Sequence, residues 1–385
     1  MQSRNSVASG SKSRSEHVSY SDEAEKVLLG RPLESGLRSG RMNEMAKFKE
    51  GLKAPFPWFG GKRKVAPLVW SRFGNVRNYV EPFFGSGAVL LNRPVPFDGV
   101  ETINDADGLL ANFWRAVKAD PMSVADYADW PVNENDLHAR HAWLVGQKNS
   151  LQAHMEGDPD FFDIKIAGWW VWGLACWIGS GFCSGHGPWQ VVEVDGARQL
   201  VHLGNAGQGV NRKRVHLGNA GRGVNRKRDD HRDCLVSYMT ALSDRLRHVR
   251  VCCGDWSRVM GETPTEVFAP AAVFLDPPYA DTAKRSSNLY RVDCESVAHA
   301  VREWAIANGN NPNLRICLAG YDGEHAMPSG WECVGGKAGG GHGYGGQSKD
   351  GYANENRERL WFSPHCERPE RLMLFEMAEA TEEDD

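Results

Sequence analysis

The chain is poor in several things that would assign it quickly. Long apolar runs are lacking: the most apolar stretch, Ile166 to Phe182, is shorter than the roughly 20 apolar residues a spanning helix needs and is broken by four glycines. No membrane segment is expected. The nine cysteines, odd in number and including the adjacent pair Cys252 and Cys253, follow no secreted framework, and the polar first residues lack the apolar core of a signal peptide. A reduced, cytoplasmic setting is therefore expected. Cys176, Cys183 and His186 lie close in sequence but without the paired spacing of a zinc site, so no metal is assigned. Positive charge is not in excess either, with 45 Lys and Arg against 49 Asp and Glu and a net of -4. That balance excludes a protein coating nucleic acid with its whole surface but permits a local basic groove.

What remains is a composition of 41% hydrophobic and 24% charged residues, fit for a globular protein with a sizeable core in one large domain or two coupled ones. Residues 1–52 are rich in Ser, Arg, Lys and Glu with little apolar periodicity and read as a disordered tail, within which Met42 and Met45 are alternative natural starts. From Pro55 the texture changes. "NYVEPFFGSGAVLL" reads as a strand, a glycine turn and the start of a helix, and "ETINDADGLLANFWRAV" as a strand ending near Asn104 followed by a helix carrying Leu109, Leu110, Phe113, Trp114 and Val117 on one side. After a break in rhythm, "HVRVCCGDW", "AAVFLDPPY" and "LRICLAGYD" read as strands, "ESVAHAVREWAIAN" as a helix, and "WECVGG" with "RERLWFS" as a closing pair. Alternating strands and helices predict an α/β fold with a parallel sheet. The catalytic part is expected over 53–120 and 246–365, an inserted subdomain over 121–245, and an acidic tail over 366–385.

The insertion holds a tandem repeat, "VHLGNAGQGVNRKR" at 201–214 and "VHLGNAGRGVNRKR" at 215–228, differing only at Gln208 and Arg222. Two copies are too few for a solenoid and read as a duplicated surface loop. From Gln199 to Arg250 there are 11 Lys or Arg against 4 Asp, a local net of +7 that suits phosphates. Arg212, Lys213, Arg214, Arg226, Lys227 and Arg228 are the candidate contacts, against the plainer reading of a solvated basic loop. Trp169, Trp170, Trp172 and Trp177 read as core before base-stacking platforms.

Two stretches carry the chemistry. In "EPFFGSG" the bare backbone at Gly85 and Gly87 lets a ligand approach closely, and Asp105 stands 20 positions beyond Gly85 at a strand end, the spacing at which a carboxylate meets ribose hydroxyls. "DPPY" is sharper, since a given four-residue string arises by chance in a chain of this length with a probability on the order of 0.002. Asp276 and the Pro277 carbonyl offer two acceptors for an amino group, Pro278 stiffens the corner, and Tyr279 offers a face for a planar base.

Taken in order, "PFPWFGGKRK", "VEPFFGSGAVLLN", "IND", "VCCGDW" and "LDPPY" resemble the motifs of the Dam-like (D12 class, group alpha) DNA adenine methyltransferases. The resemblance covers roughly 55–110 and 246–363, and thins over "GWWVWGLACWIGSGFCSGHGPW", which leaves the target sequence open. It implies a Rossmann-like S-adenosylmethionine-dependent catalytic sheet with an inserted target-recognition subdomain, acting on N6 of adenine in double-stranded DNA after the base is flipped out. By the same resemblance Trp58 and Lys62 would contact the cofactor, and Glu81, Pro82, Phe83, Gly85 and Gly87 would wall its methionine end. Asp105 would take the ribose hydroxyls, and Asp255 and Trp256 the adenine of the cofactor. Asp276, Pro277, Pro278 and Tyr279 would be catalytic. Methylation of cytosine N4 or of RNA adenine is the alternative activity, the former disfavoured because cytosine enzymes more often carry Ser where Asp276 stands; a DNA-binding relative without catalysis is the alternative class. A partner restriction endonuclease and the oligomeric state stay open, a monomer being compatible with the sequence. Ala280 to Tyr290 and the Gly-rich 335–351 stretch are candidate closing segments.

Overall fold

The computed structural model describes residues 51–58, 60–178, 182–183, 189–194, 197–202, 210–216, 218–219, 228–278, 295–335 and 358–368. All of them belong to one compact unit, residues 50–385. Tyr279, His186, Arg226, Lys227, the segment 280–290, the Gly-rich stretch after Gly335 and both chain ends lie outside the described residues.

The first half of the unit runs α1 (Ala66–Phe73), β1 (Asn78–Glu81), α2 (Ala88–Leu91), β2 (Val100–Asp105), α3 (Gly108–Ala119), α4 (Pro121–Ala128), α5 (Glu134–Gly157) and α6 (Ile164–Cys176). Four short strands follow, β3 (Trp189–Val194), β4 (Ala197–His202), β5 (Lys213–Arg214) and β6 (Gly218–Asn219). The chain returns through α7 (Arg228–Leu246), β7 (Val249–Cys253), α8 (Glu262–Glu266), β8 (Ala271–Leu275), α9 (Glu295–Asn308), β9 (Leu314–Tyr321), β10 (Glu332–Gly335) and β11 (Glu358–Phe362).

Seven of these strands form one sheet in the order β10-β11-β9-β8-β1-β2-β7. Neighbours from β7 through β9 are parallel. Only β11 runs against the rest, wedged between β9 and β10. Numbering the sheet strands along the chain, the first five stand 3-2-1-4-5, as in the doubly wound nucleotide-binding fold, so the sheet is Rossmann-like with an added antiparallel edge. Strand order reverses between β1 and β8, and a crevice opens beyond their carboxyl ends. Every residue of β1 and β8 is buried, as expected of central parallel strands covered on both faces.

Helix α3 forms because Asp107 caps it, accepting from the backbone N–H groups of Leu109 and Leu110, and because the residues that follow present an apolar side. It packs on β2 and β7, while Val301 and Ala305 of α9 join Val273, Leu275, Ile316 and Leu318 in the core. Helices α4, α6 and α7 pack on α3, and α6 and α7 each pack on α4, so the helices of 121–246 share that core. Helix α6 is apolar nearly all round because it is enclosed by protein: Trp170 and Trp172 are buried within it, as is Trp177 just beyond. Trp169 is only half-buried. Among the described residues no helix is long and apolar enough to cross a membrane.

The expected boundaries shift slightly. Leu52 is already buried and its carbonyl accepts from Arg63, so packing begins inside the expected tail 1–52. At the other end Cys366 is buried and Glu367 pairs with Arg315 at 2.8 Å, which carries the ordered chain past 365. The repeat is not wholly a surface loop either. Val215 is buried, the His216 N–H donates to the Pro55 carbonyl, and the His216 ring stacks on Tyr238 of α7 at 3.4 Å, because α7 offers an aromatic face there. Its first-copy counterparts, Val201 and His202, lie in β4.

A buried ionic knot ties α7 to the sheet. Glu101 of β2 accepts from Arg93 at 3.0 Å and from Arg245 of α7 at 2.7 and 2.8 Å. Arg115 of α3 makes a similar clamp, donating to the carbonyls of Val251 on β7, Met155 on α5, and Asp158 and Phe161 beyond it.

Candidate functional site

A cleft with about 970 Å³ of space, open solvent at its mouth included, lies beyond the carboxyl ends of β1, β2, β7 and β8. Trp58, Lys62, Glu81, Pro82, Phe83, Gly85, Asp105, Asp255, Trp256, Asp276 and Pro278 all line it. Two residues expected beside them do not: Gly87 sits behind, ending the turn at the start of α2, and Pro277 is buried at the corner itself.

The glycine turn is held from three sides. The Gly85 N–H donates to Asp105 Oδ2 at 3.0 Å, the Trp114 indole N–H donates to the Gly85 carbonyl at 3.1 Å, and the Phe84 N–H donates to the Asn104 carbonyl at 3.0 Å. Asn104 also donates its side-chain amide to the carbonyls of Pro82 and Gly254 at 3.1 and 3.0 Å, joining the loops after β1 and β7. Asp105 receives a further N–H from Asp107 at Oδ1, so its carboxylate organises the turn as well as facing the cleft. The sequence singled out Asp105 by its spacing, and gave no sign of this structural task.

At the other end of the cleft, Asp255 is exposed and caps the turn Trp256–Val259, accepting from Ser257 N–H at 2.9 Å. The rings of Trp256 and Phe83 lie nearly parallel, 27° apart with centroids at 6.2 Å. Trp58 stands across the Gly85 turn, backed by Phe56 at 5.9 Å and Trp170 at 6.5 Å.

Lys62 occupies a place the sequence did not suggest. The side chain is buried, its ammonium lies 2.9 Å from Asp276 Oδ2, donates to the Gly60 carbonyl at 2.9 Å, and lies 3.8 Å from Glu358 on β11. It thus holds the acidic corner in addition to lining the cleft. Burial alone would lower its pKa, but Asp276 and then Glu358 outweigh burial and raise it above 10.5. Glu358 itself was missed, because its strand reads only as a closing element and nothing local marks one glutamate of "ENRERLWF". Glu81 is buried too and receives the Tyr79 hydroxyl at 2.7 Å. Its burial raises its pKa well above 4.5 against that hydrogen bond, and the nearby Asp276 charge adds to the rise.

The basic candidates are only partly described. Arg212 is exposed, while Lys213 and Arg214 are half-buried in β5, which pairs with β6. Arg228 opens α7. A second, surface groove, away from the cleft, is lined by Tyr127, Trp130, Arg140, Trp143 and Trp169 among others, so Trp169 faces a groove where its neighbours Trp170 and Trp172 face the core.

Sheet order, crevice and glycine turn together define an α/β protein with a cleft at the switch point of its sheet, beside a rigid acidic corner. Residues 58–141 match the model of the family described as D12 class N6 adenine-specific DNA methyltransferase. That family is one of DNA adenine-specific methyltransferases, and enzymes of this kind use S-adenosylmethionine. The match begins at Trp58, takes in the Gly85 turn and Asp105, and stops in α5, short of Asp276. No curated protein matches the chain.

Proposed function

We propose that the protein transfers a methyl group from S-adenosylmethionine to N6 of an adenine flipped out of double-stranded DNA. The observation that carries this reading is the shared cleft: Asp276, at the end of β8, lines the same cavity as the Gly85 turn, Asp105 and Trp256. The cleft fits the cofactor on its own features. A Cβ at Gly85 would lie 2.7 Å from the Trp58 indole nitrogen, so only a bare backbone leaves that cradle open. Asp105 provides a carboxylate for ribose hydroxyls, Phe83 and Trp256 provide parallel faces for a base, and Glu81 and Pro82 wall the near end.

When bound, S-adenosylmethionine supplies a methyl group on a positively charged sulfur that departs as a neutral thioether. The chain's own residues have a different task, because the adenine amine is a weak nucleophile whose lone pair is delocalised into the ring. Asp276 and the Pro277 carbonyl accept its two N–H groups, favour a pyramidal nitrogen and aim the lone pair, so acceleration comes mainly from orientation and electrostatics. The nitrogen then carries one proton too many, and Asp276, already hydrogen-bonded to it, is the group that takes it. Lys62 holds Oδ2 of Asp276 and so fixes the plane of the carboxylate. Tyr279, next to Pro278, stacks on the extruded base. Arg212, Lys213, Arg214, Arg226, Lys227 and Arg228 bind phosphates, which sets position without reading sequence.

Asp276→Ala tests this reading. Methyl incorporation into duplex DNA is expected to fall at least about 10³-fold while calorimetry with S-adenosylhomocysteine shows binding within a few-fold of wild type. Near-normal turnover would remove Asp276 from the chemistry.

A further inference from the structure

Glu358 opens β11, the one strand of the sheet that runs against the others, and pairs there with Tyr321 at the end of β9. This places its carboxylate 3.8 Å from the Lys62 ammonium, which lies 2.9 Å from Asp276. The three side chains are enclosed, at 12%, 5% and 20% exposure for Glu358, Lys62 and Asp276. One ammonium therefore sits between two carboxylates.

We propose that Glu358 is a positioning residue that acts through Lys62 on Asp276; this rests on the methyltransferase reading above. A lysine paired with Asp276 alone would neutralise it and weaken it as an acceptor. With Glu358 sharing the ammonium, Lys62 steers the Asp276 carboxylate while Glu358 offsets part of the lysine's charge, so that Asp276 keeps more of its own beside a nitrogen that becomes positive as its new bond forms. Among the described residues Tyr321 and Cys317 on β9 also face Lys62, and Glu81 on β1 adds its field at Asp276. Glu324 holds the Tyr321 N–H at 2.8 Å and so braces the end of β9. The antiparallel edge thus has a task besides closing the sheet: it delivers a carboxylate to the back of the acidic corner.

The test uses the full chain with two independent readouts. In the unliganded protein, Lys62 is followed by carbon-13 NMR of labelled lysine, with Lys62→Arg assigning its signal. In Glu358→Gln the Lys62 titration is expected about one pH unit lower than in wild type. In single-turnover methylation of duplex DNA, Glu358→Gln is expected to react about ten-fold more slowly with affinity for S-adenosylhomocysteine unchanged within about two-fold, and Glu358→Asp to recover part of the rate because charge is restored at shorter reach. An unshifted Lys62 titration, an unchanged rate in Glu358→Gln, or Glu358→Asp no faster than Glu358→Gln would each overturn the proposal. Failure of the wild type itself to methylate adenine would instead overturn the proposed function, while the NMR arm still decides whether Glu358 controls Lys62.

Discussion

Gly85 shows how much one missing side chain decides. Its φ of +49° is in the left-handed region, and the space a Cβ would take is already within 2.7 Å of Trp58. Gly85→Ala should therefore cost about 1–2 kcal/mol of backbone strain and, more to the point, push Trp58 out of place. The expected result is an affinity for S-adenosylhomocysteine at least ten-fold weaker by calorimetry, with the thermal midpoint lowered only by several degrees. Asp105 is the counterpart: one carboxylate accepts from the turn at Gly85 and from Asp107 while lining the cleft. Because its spacing from Gly85 is set by one strand-turn-helix unit, it could be read from sequence. The Lys62–Asp276 pair could not, since 214 positions separate the two and only the folded sheet brings them to 2.9 Å.

At the scale of elements, the ionic knot at Glu101 tests whether α7 depends on the sheet for its seat. Glu101→Gln leaves Arg93 and Arg245 facing a neutral partner in a buried setting, and removing one partner of such a group costs about 3–5 kcal/mol. A fall of that size in urea-unfolding free energy is expected; a change within about 0.5 kcal/mol would mean the arginines find other acceptors. The strands β1, β2, β7, β8 and β9 and helices α3 and α9 were legible because each is a local pattern: a short apolar run ended by turn residues, or an apolar helical face. The tandem repeat was not. The Val-His pairs that open the two copies take different structures, β4 for Val201–His202 and a turn with Val215 buried and His216 half-buried, so long-range packing against Tyr238 and Pro55 overrides local sequence there.

For the molecule as a whole, buried histidines contribute to the acid limit. Burial lowers His141, His216 and His325 to about 4. Each is near 6.5 when unfolded, so below that value the unfolded chain takes up protons that the folded chain refuses, and stability falls as pH drops from about 6.5 towards about 4. Denaturation followed by circular dichroism should show a midpoint that moves steadily down across that window, and His325→Gln or His141→Gln should flatten the slope. The repeat adds a consequence of another kind. The slot formed by Tyr238 and Pro55 accepts a Val-His pair, and the chain offers that pair twice, 14 positions apart, so composition cannot tell the slot which copy to take. Tether length from Cys176 on one side and α7 on the other, together with the pairing of the first copy's Val201 and His202 to β3, breaks the tie; a chain trimmed of either copy would lose a competitor rather than a piece of the lock.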